Sequence, residues 1–93
     1  MNEFELLKIF YEEMKAQGTS RDNVFLSIDD NMLAIMRHKF GEVVRIEDIQ
    51  VLADICIANE WMERTTADPY YNFLSLTDAG LQIVILREYK TEV

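Results

Sequence analysis

Several residue types are scarce in this 93-residue chain, and each scarcity excludes a kind of protein. A single Cys excludes an internal disulfide framework, and one Pro with three Gly leaves little room for flexible linkers. One His and one Cys, far apart in sequence, are too few ligands for a transition-metal site. Apolar runs stay well short of the roughly 20 residues that a membrane span requires. We therefore expect one domain over residues 1–93, with no metal, no cofactor and no membrane segment.

Positive charge is also scarce, because 17 acidic residues face 9 basic ones and leave a net charge of −8. Residues 37–45 form the one basic window, with three bases and one acid, whereas residues 46–63 hold five acids and no base. Such a chain attracts phosphate only weakly. The first ten residues, MNEFELLKIF, place acids where a secretory signal places bases, so we expect a cytoplasmic protein.

Side chains that could perform catalysis do not occur in recognisable arrangements. No serine is surrounded by a nucleophile signature, and the chain has no glycine-rich phosphate loop. Asp29 and Asp30 are neighbouring carboxylates, but their place before an apolar stretch favours the capping of a helix. Cys56 lies on an apolar stripe, which is typical of a small core residue rather than a reactive thiol. We predict that the protein is not an enzyme.

Apolar periodicity predicts three helices before residue 60. The first covers residues 2–17, with Asn2 as its N-cap and Gly18 just past its end. A helix-turn-helix pair is predicted over residues 29–59, and its second helix begins near Ile46. The apolar arc of the first helix is wider than one buried stripe needs, so two interpretations are open. Either this helix lies deep in the core, or its extra flank forms a dimer contact.

Residues 61–76 have the pattern of a β-hairpin. Aromatic and β-branched residues stand on both sides of a turn at Asp68 and Pro69. Asn59, just before this segment, is predicted to be the left-handed residue that ends the preceding helix. A hairpin alone is marginally stable in water, so we expect helices to cover one of its faces.

A final helix is predicted over residues 77–90. Thr77 is suited to accept hydrogen bonds from the first turn of that helix. Gly80 follows three residues later, where a larger residue would favour the helix more strongly. We therefore expect Gly80 to let the helix begin close to a neighbouring element.

The order of these elements resembles the winged-helix family of small bacterial regulators, in which a helix-turn-helix is elaborated by a β-hairpin. Three features carry the resemblance: a helix that runs directly into the aromatic-led segment 59–64, a short polar turn at residues 66–69, and the Leu-Thr-x-x-Gly helix start at residues 76–80. The similarity covers residues 24–85. It implies an α+β, winged-helix-like fold with three helices, a two- to three-stranded antiparallel β-hairpin as the wing, and a C-terminal helix.

The resemblance implies a small DNA-binding transcriptional regulator. Family members that bind DNA place the second helix of the pair in the major groove, and the wing contacts the backbone. We expect such a regulator to be a homodimer joined through its N- and C-terminal helices. The candidate DNA-binding residues are Arg37, His38, Lys39, Arg45, Gln50 and Arg64.

The alternative is an acidic winged-helix module that binds proteins and not DNA. The presumed DNA-reading helix departs from the family pattern, because its outward positions are acidic or apolar and it has no cation. Carboxylates cannot neutralise phosphates, and a second apolar line along this helix is more than a small core can bury. The candidate partner-binding residues are Glu47, Asp48, Val51, Asp54, Ile55, Met62 and Tyr70. Both hypotheses are open at this point.

Overall fold

The computed structural model describes residues 1–67 and 70–91, and these contain four α-helices and one two-stranded antiparallel sheet. In chain order the elements are α1 (Glu3–Gln17), α2 (Asp30–Phe40), α3 (Ile46–Ala58), β1 (Met62–Arg64), β2 (Leu74–Leu76) and α4 (Asp78–Thr91). This arrangement confirms the predicted α+β class. The predicted hairpin turn at Asp68 and Pro69 lies outside the described residues. No helix among those described combines the length and the apolarity that crossing a bilayer requires.

Local capping sets the ends of the first two helices. At the start of α1, Oδ1 of Asn2 accepts a hydrogen bond from the backbone N–H of Glu5 at 3.0 Å. At the start of α2, Oδ1 of Asp29 accepts one from the backbone N–H of Met32, also at 3.0 Å. Gly18 ends α1 with a φ of +64°, a left-handed conformation that glycine adopts without strain. These interactions satisfy backbone groups that a helix end leaves unpaired, and they confirm the predicted caps.

The end of α3 differs from the prediction by one residue. Asn59 has a φ of −89°, so it is not left-handed, and Glu60 takes a φ of +60° instead. Trp61 then donates its backbone N–H to the carbonyl of Cys56 at 2.9 Å, and Glu60 donates to Ile57 at 3.0 Å. This pair of bonds is the Schellman pattern, in which the left-handed residue follows the helix cap.

The hairpin is shorter than the sequence predicts. Its strands have three residues each, and Met62 lies opposite Leu76 in the antiparallel register. The second strand begins late because Phe73 has a φ of +54°, which interrupts the extended backbone. On the other edge, Leu26 forms an isolated antiparallel bridge with Leu74. The sheet is therefore two-stranded, with one additional bridge from the segment between α1 and α2.

The core lies between the four helices and the inner side of the hairpin. Its most deeply buried apolar side chains are Leu6, Leu7, Phe10, Met36, Ile49, Ala53, Cys56, Met62, Leu74 and Leu76. Full burial of such a side chain contributes about 1.5–3 kcal/mol. Because α1 buries residues on two adjacent stripes, its wide apolar arc is used by the core.

The start of α4 lies against the backbone of Trp61. The Thr77 hydroxyl accepts from the backbone N–H of Gly80 at 3.1 Å, and the N–H of Thr77 donates to the Trp61 carbonyl at 3.1 Å. A Cβ atom added to Gly80 would lie 1.9 Å from that carbonyl oxygen, well inside van der Waals contact. The structure thus confirms the predicted cap at Thr77 and the predicted close approach at Gly80.

We expect Gly80→Ala to lower the free energy of unfolding by about 3 kcal/mol or more, at the upper end of over-packing costs, because the group that the new methyl meets is backbone. Urea unfolding followed by circular dichroism measures the loss. Gly18→Ala is the matched control, since a Cβ there meets nothing within 4 Å. In this variant the free energy of unfolding should fall only by the cost of placing an alanine in the left-handed conformation, about 1–2 kcal/mol. Equal losses in the two variants would contradict the proposed clash.

The thiol of Cys56 should be inert in the folded protein. Burial raises its pKa to about 12 from the ordinary value of 9.0, so the reactive thiolate is suppressed. We expect iodoacetamide to label Cys56 at pH 8 only after urea unfolds the chain. Because the folded-state pKa is the higher one, the stability that the thiol contributes is complete below about pH 8.5 and declines as the pH rises towards 12.

The pH dependence is measured as the difference in free energy of unfolding between wild type and Cys56→Ala. The variant lacks the titrating thiol, so other alkaline titrations cancel in the comparison. A difference that stays constant from pH 8 to pH 11, or rapid labelling of the native protein, would show that the thiol is not protected by burial.

Candidate functional site

The outward side of α3 is acidic and apolar along its whole length. Its exposed residues are Glu47, Asp48, Val51, Asp54, Ile55 and Ala58, which we call the α3 face. The inward residues of the same helix are buried in the core, which fixes the orientation of this face. At 1.5 Å per residue the α3 face is roughly 16 Å long. Residues 46–58 include no Lys, Arg or His, so the face carries no cation of its own.

Val51 and Ile55 are the apolar centre of the α3 face. Val51 is 56% exposed and Ile55 is 37% exposed, although both are side chains that cores normally bury. They are four residues apart on a helix, so their Cβ atoms are about 6 Å from each other. The carboxylates of Glu47 and Asp48 precede this pair along the helix, and Asp54 lies beside it. The result is a small apolar centre with an acidic border.

Met62 does not belong to this surface, and its assignment as a partner-binding candidate is wrong. Its side chain is only 1% exposed and lies in the core. The prediction continued the helical period of Val51 and Ile55 beyond residue 58, where α3 ends. In β1 the side chains alternate with a period of two, and this turns Met62 inward against the helices.

The hairpin is attached to the α3 face through Tyr71. The Tyr71 hydroxyl donates to Oδ2 of Asp54 at 3.0 Å, across 17 positions of sequence. Partial burial, and then the hydrogen bond to the Asp54 carboxylate, raise the pKa of the Tyr71 hydroxyl above its ordinary value. Tyr70, next to it, is 69% exposed. Sequence patterning gave no indication of this link, because the two partners lie in different elements.

Arg64, a candidate DNA-binding residue, makes its contacts within the hairpin. Its Nη1 donates to the carbonyl of Tyr70 at 2.6 Å. Its guanidinium carbon also lies 5.2 Å from the centroid of the Tyr71 ring, within range of a cation–π interaction. The side chain thus holds the two arms of the hairpin together beside α3.

Two further basic candidates contact neighbouring elements. Arg37 donates through Nε to the carbonyl of Val44 at 2.9 Å, which fastens α2 to the turn before α3. Lys39 lies 3.5 Å from the Glu12 carboxylate of α1. Arg37 therefore joins α2 to the turn before α3, whereas Lys39 forms an exposed ion pair with α1.

The remaining DNA-binding candidates are dispersed. His38 is exposed and lines a shallow cleft with Arg37, Asp30 and Glu42, so two acids and a second base stand beside it. Arg45 is exposed at the start of α3, where its backbone N–H donates to Asp48 at 2.9 Å. Gln50 is half-buried. The structure thus brings two acids to the same cleft as the basic residues Arg37 and His38.

A larger cleft, of about 670 Å³, lies between β1 and the start of α4. Arg21 at its edge donates to Asp78 at 2.7 Å and to the carbonyl of Leu76 at 3.1 Å. These bonds connect the loop after α1 to the hairpin and to α4, so the contacts of Arg21 are structural. Across residues 1–67 and 70–91, no group of three or more His, Cys, Asp or Glu side chains is arranged to hold a metal ion.

We expect Tyr71→Phe to lower the free energy of unfolding by about 1 kcal/mol, the net contribution of an ordinary hydrogen bond. Asp54→Ala and the double variant complete a double-mutant cycle, which cancels the change in helix propensity at position 54. Urea unfolding of the four proteins gives the coupling energy, which should be about 0.5–1.5 kcal/mol. Strictly additive losses would show that the two side chains do not interact.

No model of a known protein family matches the chain, and neither a curated protein nor a solved structure matches it. The charge, exposure and contacts of the α3 face, together with the positions of the basic residues, are the observations that bear on function.

Proposed function

We propose that this chain is a winged-helix-like module that binds another protein through the α3 face. Three features support the winged-helix interpretation of the fold. The pair α2 and α3 is joined by a short turn, the hairpin follows α3 at once, and α4 begins at the Leu-Thr-x-x-Gly segment. In that interpretation α3 is the recognition helix and the hairpin is the wing.

The observation that carries the proposal is the composition of the α3 face. In DNA-binding helix-turn-helix proteins the recognition helix lies in the major groove, between two phosphate backbones. Here that position would bring Glu47, Asp48 and Asp54 close to phosphates, with no cation on the helix to offset the repulsion. Electrostatics therefore favours a partner other than nucleic acid.

The contacts of the basic residues point the same way. Arg37, Lys39 and Arg64 each contact an acceptor within the fold, so binding to phosphate would compete with an existing interaction. Arg45 is exposed at the start of α3, and its contact with Asp48 is made by its backbone N–H. The DNA-binding regulator, the first of the two predictions from sequence, stays a prediction with these residues as its candidates, and the geometry supports it less.

The α3 face has the anatomy of a small protein interface. Val51 and Ile55 form an exposed apolar centre, and charged side chains surround it. Protein interfaces commonly combine an apolar centre that excludes water with a polar border that remains solvated. Tyr70, exposed on the neighbouring hairpin, belongs to the residue types that are enriched at such interfaces.

The homodimer through α1 and α4 stays a prediction. The apolar residues of α1 are used mainly by the core, but Leu86 and Tyr89 of α4 are exposed. If they contact a second copy, Leu86→Lys should lower the molar mass measured by sedimentation equilibrium. This contact is separate from the α3 face, so its presence or absence leaves the proposed partner surface unchanged.

The proposal is tested by placing a photo-crosslinking amino acid at position 51 in cells that produce the protein. We expect irradiation to give a covalent adduct with another protein, because Val51 is at the centre of the surface. The same amino acid at position 35 is the control, since Ile35 is also an exposed apolar helix residue but lies on α2. That position should give no such adduct.

A parallel measurement addresses DNA. Fluorescence anisotropy with a pool of labelled duplexes in low salt should show no saturable binding over the range of about 10⁻⁶–10⁻⁴ M that is usual for non-specific DNA binding. Salt-sensitive binding that Arg45→Glu abolishes would contradict the proposal and establish the DNA-binding prediction instead.

A further inference from the structure

We propose that the α3 face binds an amphipathic helix whose apolar stripe is bordered by Lys or Arg. This inference rests on the proposed function and specifies the chemistry of the partner. It follows from three properties of the α3 face: its helical geometry, the spacing of its apolar residues, and the sign of the charge around them.

The geometry favours a helix over an extended strand. An added strand binds through free backbone groups, but the backbone of α3 is occupied by its own helical hydrogen bonds. On the hairpin, Leu74 of β2 already exchanges both backbone bonds with Leu26, at 3.0 and 2.8 Å, and β1 has only three residues. Recognition by the α3 face therefore proceeds through side chains.

The apolar spacing matches that of a second helix. Val51 and Ile55 are one turn apart, so they form a ridge on which side chains at positions i, i+4 and i+7 of another helix can pack. Over the roughly 16 Å of the α3 face, a partner helix would contribute about 11 residues, or three turns. Ala58, at the end of the ridge, leaves room for a large apolar side chain of the partner.

The charge specifies the border of the partner helix. Glu47 and Asp48 lie at one end of the ridge and Asp54 lies beside its centre, so cations that border the partner's stripe at these places would meet carboxylates. Asp54 can accept from a partner cation through Oδ1 while Oδ2 retains the Tyr71 hydroxyl. Exposed charges of this kind contribute chiefly to partner choice and to the rate of association.

The same charges disfavour a second copy of this chain on the α3 face. A two-fold symmetric contact places the same patch on both sides, so the interface would hold the three carboxylates of each copy and no cation from either α3 helix. Like charges brought together across an interface oppose binding. A homodimer, if formed, therefore uses a different surface.

The test uses three synthetic 18-residue helical peptides and the full chain. The first peptide has Leu at helical spacing, bordered by Lys and Arg. The second keeps the leucines but replaces every cation by Glu, and the third scrambles the first so that its charge is retained and its stripe is lost. We expect saturable binding of the first peptide, measured by fluorescence anisotropy, and binding at least tenfold weaker for the other two.

Variants of the chain locate the binding on the α3 face. Val51→Lys and Glu47→Lys should each weaken binding of the first peptide at least tenfold. Ile35→Lys and Glu63→Lys introduce the same charge at exposed positions outside the α3 face, and they should leave binding within twofold of wild type. Circular dichroism spectra that match wild type establish that all four variants are folded.

Several results would overturn the inference: no binding of the basic peptide at 1 mM, equal binding of all three peptides, or equal losses in the variants and their controls. If the basic peptide fails while position 51 still crosslinks to a protein, the partner has other chemistry and the proposed function stands. If the basic peptide fails and position 51 gives no adduct, both are rejected. Binding of duplex DNA in place of the peptide also rejects both.

Discussion

The contact between the first turn of α4 and the backbone of Trp61 is the constraint on which the rest of this structure depends. Only a glycine at position 80 lets α4 approach the Trp61 carbonyl, and Thr77 bonds both to that carbonyl and to the first turn of the helix. The ring of Trp61 meanwhile packs on Phe4 of α1, with 5.6 Å between the ring centroids. The end of α3, the base of the hairpin and the start of α4 are thereby joined to α1 at one place. With its inner face held in this way, α3 must present its outer face to solvent.

The parts of the structure that depend on near neighbours could be predicted from sequence. The caps at Asn2, Asp29 and Thr77 each involve a backbone group three residues away, so local sequence is sufficient to indicate them. The helix bounds and the α+β class follow from apolar periodicity in the same way. Gly80 was also informative, because a glycine in the first turn of a helix indicates that a larger side chain would not fit there. The Trp61 carbonyl is the group that a Cβ atom at this position would meet.

Contacts between distant residues could not be obtained from periodicity. The bond from Tyr71 to Asp54 joins a hairpin to a helix, and nothing in either local pattern requires the other. Met62 was misplaced for a related reason, since the helical period was continued into a strand that has a different period. The basic window 37–45 is visible in the sequence, but the contacts of its side chains are not. Only the folded chain shows that Arg37 contacts the turn before α3 and that Lys39 contacts α1.

We propose that the α3 face is a protein-binding surface and not a DNA-reading one. The most direct measurement is a two-dimensional ¹H–¹⁵N NMR titration of the chain, once with the basic amphipathic peptide and once with duplex DNA. We predict that the peptide shifts the amide resonances around Val51 and Ile55 most strongly, and that DNA shifts none of them. Saturable shifts at Arg45 and Arg64 on addition of DNA, with α3 resonances unmoved by the peptide, would contradict it.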